Sequence, residues 1–178
     1  ERPYHEVTLG CFLIDRFEVS RGDYFACVED GTCAEPEDDW DASGTALQDH
    51  PVTFVTHPMA VAYCNWLGKR LPTEGEWEYA ARGDTRTVFW WGVSYEKGYA
   101  NCVREKGPWS VTQRGEKQDR EPPFGLHNML GNVWEWVEDA RAPFGSSSQT
   151  DPVGRGKKDQ PSRVLRGGAW RGGPDDCR

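Results

Sequence analysis

Residues 124–138, Phe-Gly-Leu-His-Asn-Met-Leu-Gly-Asn-Val-Trp-Glu-Trp-Val-Glu, constrain the fold of this chain more than any other stretch. The second half alternates as a strand does. Trp134 and Trp136 point to one face, Val133, Glu135 and Val137 to the other. A carboxylate flanked on its own face by two valines is costly to bury unless a cation or hydrogen-bond donors meet it. Just upstream, Asn128 and the Gly131-Asn132 pair make a tight turn with free carbonyls. One side-chain amide, the turn carbonyls and one carboxylate form an all-oxygen set of the kind calcium prefers. An ordinary hairpin turn, with Glu135 paired to an arginine such as Arg166, uses the same residues. Spacing alone favours that simpler arrangement, because oxygen-rich turns far outnumber calcium sites.

The length of 178 residues predicts one domain with room for a substantial core. Nine tryptophans, 20 glycines and 12 prolines suit a compact, loop-rich fold held by aromatic packing, and argue against a helical bundle. The net charge of −8 supplies no basic patch for nucleic acid. No apolar run reaches membrane-spanning length. Of the six cysteines, Cys27 and Cys33 bracket a short acidic loop and are spaced to close a small disulfide ring. Zinc is the rival, but no matching Cys or His partners lie nearby. The disulfide, and with it an oxidising, extracytoplasmic compartment, is the expectation. Cys64 falls in a helical pattern and reads as a core thiol.

Residues 7–18 hold two short apolar runs with strand-like content. Ser20 caps a first helix, with Asp23 as its capping-box partner and Gly31 as its stop. A second helix runs from about Pro58 to Leu67, with Ala60, Tyr63, Cys64 and Leu67 on its apolar face and Gly68 ending it. A third starts at the Thr73/Glu76 capping box, buries Trp77, Ala80 and Ala81, and ends at Gly83. Phe89-Trp90-Trp91-Gly92 forms an aromatic corner. Residues 34–50 and 142–161 are surface loops.

Gly131-Asn132-Val133-Trp134-Glu135-Trp136 resembles the GNVWEW signature of the formylglycine-generating enzyme (sulfatase-modifying factor) family. Residues 65–83 are the longest match to it. Ile14-Asp15-Arg16-Phe17-Glu18-Val19-Ser20 resembles the entry to its first helix, and Arg163-Val164-Leu165-Arg166-Gly167-Gly168-Ala169-Trp170 its glycine-paired strand. The resemblance covers essentially the whole chain. It implies a mixed α+β fold, the complex variant of the C-type lectin fold, with two to three helices, short irregular strands and much loop. The family's first and last strands would lie outside residues 1–178.

In that family the positions of Asn128, Gly131, Val133 and Glu135 hold a structural calcium, and all four match. Asn101 and Cys102 fall where a second calcium is held, although the acidic stretch that would complete it is reduced to Glu105. The family's enzymes convert a sulfatase cysteine to formylglycine with molecular oxygen and copper(I) held by two cysteines. Those positions fall on Gly172 and Cys177, and the nearby active-site serine on Ala169. Copper(I) wants two soft ligands. Cys177 beside Asp175 and Asp176 has no soft partner in sequence, although Cys102 or Cys11 could approach it in the fold. His5, His50, His57 and His127 are scattered, and no P-loop or nucleophile elbow is present. The expected function is therefore a non-catalytic, calcium-stabilised binding or scaffold domain of a larger protein, its ligand a protein or small molecule. The alternative is a copper-dependent formylglycine-generating oxidase with Cys177 in its catalytic site.

Overall fold

The computed structural model of the protein describes residues 5–37, 47–102, 122–143, 145–156 and 162–177. Ser20 stands extended before α1 (Arg21–Glu29), and its hydroxyl accepts a hydrogen bond from the Asp23 N–H at 3.1 Å. One of the helix's orphan donors is thereby satisfied. Beyond the helix Gly31 turns left-handed (φ 79°), which glycine does without steric cost. The chain folds back and Cys33 closes a disulfide on Cys27, with a Cα–Cα distance of 5.3 Å. The Thr32 and Cys33 N–H groups both donate to the Cys27 carbonyl.

Helix α2 (His57–Trp66) has proline in its first turn and ends before Gly68, whose φ is 69°. Its buried contact to α1 is the Tyr24–Tyr63 stack, with ring centroids 5.5 Å apart. The predicted apolar face is corrected at its C-terminal end. Leu67 lies beyond the last helical turn and is exposed, while His57 and Tyr63 carry the burial.

Helix α3 (Glu74–Arg82) begins in a reciprocal capping box. The Glu76 N–H donates to Thr73 Oγ1 at 3.2 Å, and the Thr73 N–H donates to Glu76 Oε2 at 2.8 Å. Trp77, Ala80 and Ala81 are buried as their spacing requires, and Gly83 caps the end with φ 58°.

The strands are short. β1 (Val7–Thr8) pairs in parallel with β3 (Gln149–Thr150). β2 (Glu135–Ala140) pairs antiparallel with β4 (Arg163–Arg166), in a register that sets Glu135 opposite Arg166 and Trp136 opposite Leu165, with an irregularity before Ala140. Residues 9–19 join no strand ladder among the described residues, although their composition reads as strand. Ser20 alone bridges Pro51.

The main core gathers Trp77, Ala80 and Ala81 of α3 with Phe89, Leu126, Met129, Leu130 and Val137. A smaller cluster lies around Tyr24, Tyr63 and the first disulfide. The aromatic corner forms as expected: Phe89 bridges Gly92, and the Phe89 and Trp91 rings stack at 4.8 Å. Parts of both predicted surface loops, together with Trp40 and Glu105, lie outside the described residues. This frame, three helices against short strands in a mixed α+β arrangement, delivers the turn before β2 into the centre of the molecule.

Candidate functional site

Three residues in the left-handed region shape that turn: Asn128 (φ 60°), Gly131 (φ 88°) and Asn132 (φ 65°). Asparagine tolerates this region better than most side chains. At Gly131 the glycine is required twice over, because a Cβ there would run into the Asn101 carbonyl and the Cys102 sulfur. The turn is then clipped from both sides. The Gly131 N–H donates to the Gly167 carbonyl at 2.7 Å, and the Asn132 N–H to the Asn101 carbonyl at 2.9 Å. The Trp170 N–H donates to the Asn132 carbonyl at 3.0 Å. Asn132 is fully buried as a result.

The turn leads into β2 at Glu135, whose Oε2 accepts from Trp77 Nε1 at 2.8 Å. Burial pushes the Glu135 carboxyl up to about 7, and the indole bond holds it back. A second carboxylate stands beside it. Glu18, from the extended run before α1, accepts through Oε2 from Asn132 Nδ2 at 2.6 Å and from Asn128 Nδ2 at 3.1 Å. Burial, with the charge of Glu135 adding to it, raises the Glu18 carboxyl well above the ordinary range against the pull of Asn132, Asn128 and the Val133 N–H. Glu18 Oε1 is sealed from solvent and has no hydrogen-bond partner among the described residues.

Sequence reasoning did not place Glu18 or the Asn132 side chain in the site. The available signal was a lone carboxylate between Phe17 and Val19, the same pattern that singled out Glu135. The ordinary-turn alternative is only half realised. Arg166 is the register partner of Glu135, yet its guanidinium goes to Glu74 at 3.6 Å and Glu78 at 3.2 Å, over the Trp77 ring.

The donors suit a hard cation. Besides the carboxylates and the Asn128 amide, the carbonyls of Gly131 and Val133 belong to the same turn and its exit into β2. No group of three or more His, Cys, Asp or Glu side chains able to hold a metal occurs among the described residues. The set is thus two carboxylates with amide and carbonyl oxygens, which fits calcium and offers nothing for zinc. Asn101 of the second expected site is turned into the same network, its Nδ2 donating to Asn132 Oδ1 at 3.2 Å.

Cys102 and Cys177 meet. Both are fully buried and form a disulfide with a Cα–Cα distance of 6.1 Å. Gly168 (φ 82°) makes room for it, since a Cβ there would strike Cys177 Sγ and the Asp176 carbonyl. Cys11 is an exposed free thiol and Cys64 a half-buried one.

The description of the sulfatase-modifying factor enzyme 1-like domain matches residues 1–178, the full length of the chain. The chain belongs to this family. The formylglycine-generating enzyme of Bos taurus is 42% identical over 136 residues, which are 68% of this chain and 35% of that protein. An inactive C-alpha-formylglycine-generating enzyme 2 of Bos taurus is 37% identical over 136 residues, 68% of this chain and 39% of its own length. The serine/threonine-protein kinase pkn1 of Chlamydia pneumoniae matches the whole chain at 32% identity with 31% of its length. The chain thus spans about a third of these curated relatives. Among solved structures, Treponema denticola variable protein 1 superposes with a TM-score of 0.68 and 27% identity, over 96% of this chain and 77% of that one.

The copper centre that family resemblance implies finds no fit in this sulfatase-modifying factor enzyme 1-like domain. Gly172 brings no ligand atom, and the Cys177 sulfur is covalently taken by Cys102. Copper(I) needs at least two soft donors.

Proposed function

We propose that this domain is a non-catalytic, calcium-stabilised binding or scaffold module of a larger, extracytoplasmic protein. The observation that carries the reading is the Cys102–Cys177 disulfide, which engages the only cysteine at the family's copper positions. A sulfur so engaged is neither a thiolate ligand nor a nucleophile. A relative named as inactive supports the same reading, and the match within a protein kinase supports a multidomain setting. Two disulfides favour an oxidising compartment, and no described helix is long and apolar enough to cross a membrane.

Calcium, once bound at the Asn128–Glu135 turn, would neutralise enclosed carboxylate charge and fix the turn. The residues that would hold it are Asn128 and Glu135 by side chain and Gly131 and Val133 by carbonyl. The ligand of the module, protein or small molecule, would meet its surface loops.

The second reading, a formylglycine-generating oxidase, is favoured by the 42% identity to an enzyme of that name. One experiment separates the two. The protein is incubated with copper(I), oxygen and a peptide carrying a sulfatase-type cysteine motif, and the peptide is weighed by mass spectrometry. We expect it to return unchanged, with or without prior reduction of the protein. Appearance of the aldehyde would establish the oxidase instead.

A further inference from the structure

We propose that Arg16 and Phe124 form a binding site for the free carboxyl end of an apolar peptide. The carboxylate would pair with the Arg16 guanidinium, and the last side chain would rest on the Phe124 ring. The site uses neither calcium nor copper, and it stands or falls independently of both.

The starting point is a cation held in place without a counter-charge. Arg16 Nε donates to the Gly125 carbonyl at 3.0 Å, and Nη2 reaches His127 Nε2 at 3.4 Å. Arginine can only donate, so His127 accepts there. The guanidinium carbon also lies 5.4 Å from the centroid of the Phe17 ring. These contacts orient the planar group and leave the donors of Nη1 and one of Nη2 unspent among the described residues. That end-on pair is what a carboxylate grips in two parallel bonds. Arg16 forms no ion pair among the described residues. Asp15 beside it pairs with Lys69 at 2.8 Å, and Glu18 is turned to Asn128 and Asn132. A chain of net charge −8 has carboxylates to spare, yet it leaves this exposed cation open.

The space in front of it is lined to match. A depression of about 640 Å³ is bounded by Arg16, Pro122, Phe124 and Gly125, so that Arg16 is its one charge among the described residues. Phe124 stands in the left-handed region at φ 57° with 62% of its surface exposed. A bulky side chain rarely takes that conformation, and such strain persists where the surroundings impose it, often at a binding site. Here the ring leans on exposed Tyr79, their centroids 5.4 Å apart, and Pro123 lies close to Gly83 at the end of α3. An oriented cation beside solvent-facing rings fits an anion with an apolar body. A space of this size, open to solvent, admits the last residues of a chain and lets the rest run outward, which favours a peptide end over a single aromatic acid.

The test uses the whole chain and the tripeptide acetyl-glycyl-glycyl-phenylalanine as probe. Amide NMR spectra of the isotope-labelled protein follow addition of the free acid and, separately, of its C-terminal amide. We expect the acid to shift Arg16, Phe124 and Gly125 and to bind about tenfold or more tightly than the amide, as a charge-assisted pair requires. Arg16→Gln should lose that preference. Phe124→Gly keeps the left-handed backbone and removes the ring, so it should weaken acid and amide alike. N-acetylphenylalanine should bind more weakly than the tripeptide, and equal binding overturns the choice of a peptide end. Equal binding of acid and amide, shifts confined to other residues, or no binding of the tripeptide overturns the site. Should Arg16→Gln not fold, the comparison of acid with amide on the unaltered chain decides alone.

Discussion

Glu76 shows how much one side chain can be asked to do. It closes the capping box of α3 and receives a bidentate grip from Arg70, both bonds at 2.7 Å. The Arg70 hydrogen bonds, aided by the Thr73 N–H against some cost of burial, hold its carboxyl below the ordinary value of 4.5. A carboxyl depressed in the folded state binds its proton more readily when unfolded. Its stabilisation is therefore present above pH about 4.5 and is lost as pH falls through the folded value. Glu76→Gln should lower stability at pH 7 by about 1 kcal/mol, the worth of a cap and a half-exposed ion pair. It should also flatten the acid limb of a plot of melting temperature against pH. An unchanged acid limb would show that the grip of Arg70 contributes nothing.

At the scale of elements, the two disulfides do different jobs. Cys27 and Cys33 are separated by 6 residues and tighten the end of α1. Cys102 and Cys177 are separated by 75 residues and fasten the segment at Asn101, which bridges Gly131, to the segment beyond β4. Closing the longer loop removes more freedom from the unfolded chain. Replacing both Cys102 and Cys177 by serine should therefore cost about 4 kcal/mol in denaturant unfolding, against about 2 kcal/mol for the Cys27 and Cys33 pair. Non-reduced digests should yield each pair as one linked peptide. The reverse order of costs would place the long bridge outside the folded unit. Gly131 and Gly168 lie against the sulfurs of Cys102 and Cys177 respectively, so the second bridge also braces the turn that carries Asn132.

For the molecule as a whole, the carboxylate pair joins parts of the chain that share no secondary-structure element: the run before α1, Trp77 of α3, the 128–133 turn and β2. Calcium should accordingly act on global stability. At a hundredfold excess over its dissociation constant it should add about 2.7 kcal/mol, which a chelator removes. Glu135→Gln should melt at the same temperature with calcium and with chelator. A calcium response that survives in Glu135→Gln would remove this residue from the site. The sequence by itself determined the three helices, because their caps and stops are local: Ser20 with Gly31, Thr73 with Glu76, and Gly68 and Gly83 each act within a few residues. It also determined the Cys27–Cys33 ring, closed across one turn of chain, and marked Asn128, Gly131, Val133 and Glu135 as one turn by their spacing and family resemblance. The tertiary structure decided what lies far apart in sequence. Glu18 reaches Asn132 across 114 residues and Cys102 reaches Cys177 across 75. Arg166 turns from its register partner Glu135 to Glu74 and Glu78 on α3. Such pairings depend on which surfaces pack together, and no local spacing encodes that. Residues 9–19 show the same limit from the other side, since strand composition makes a strand only where a partner edge meets it.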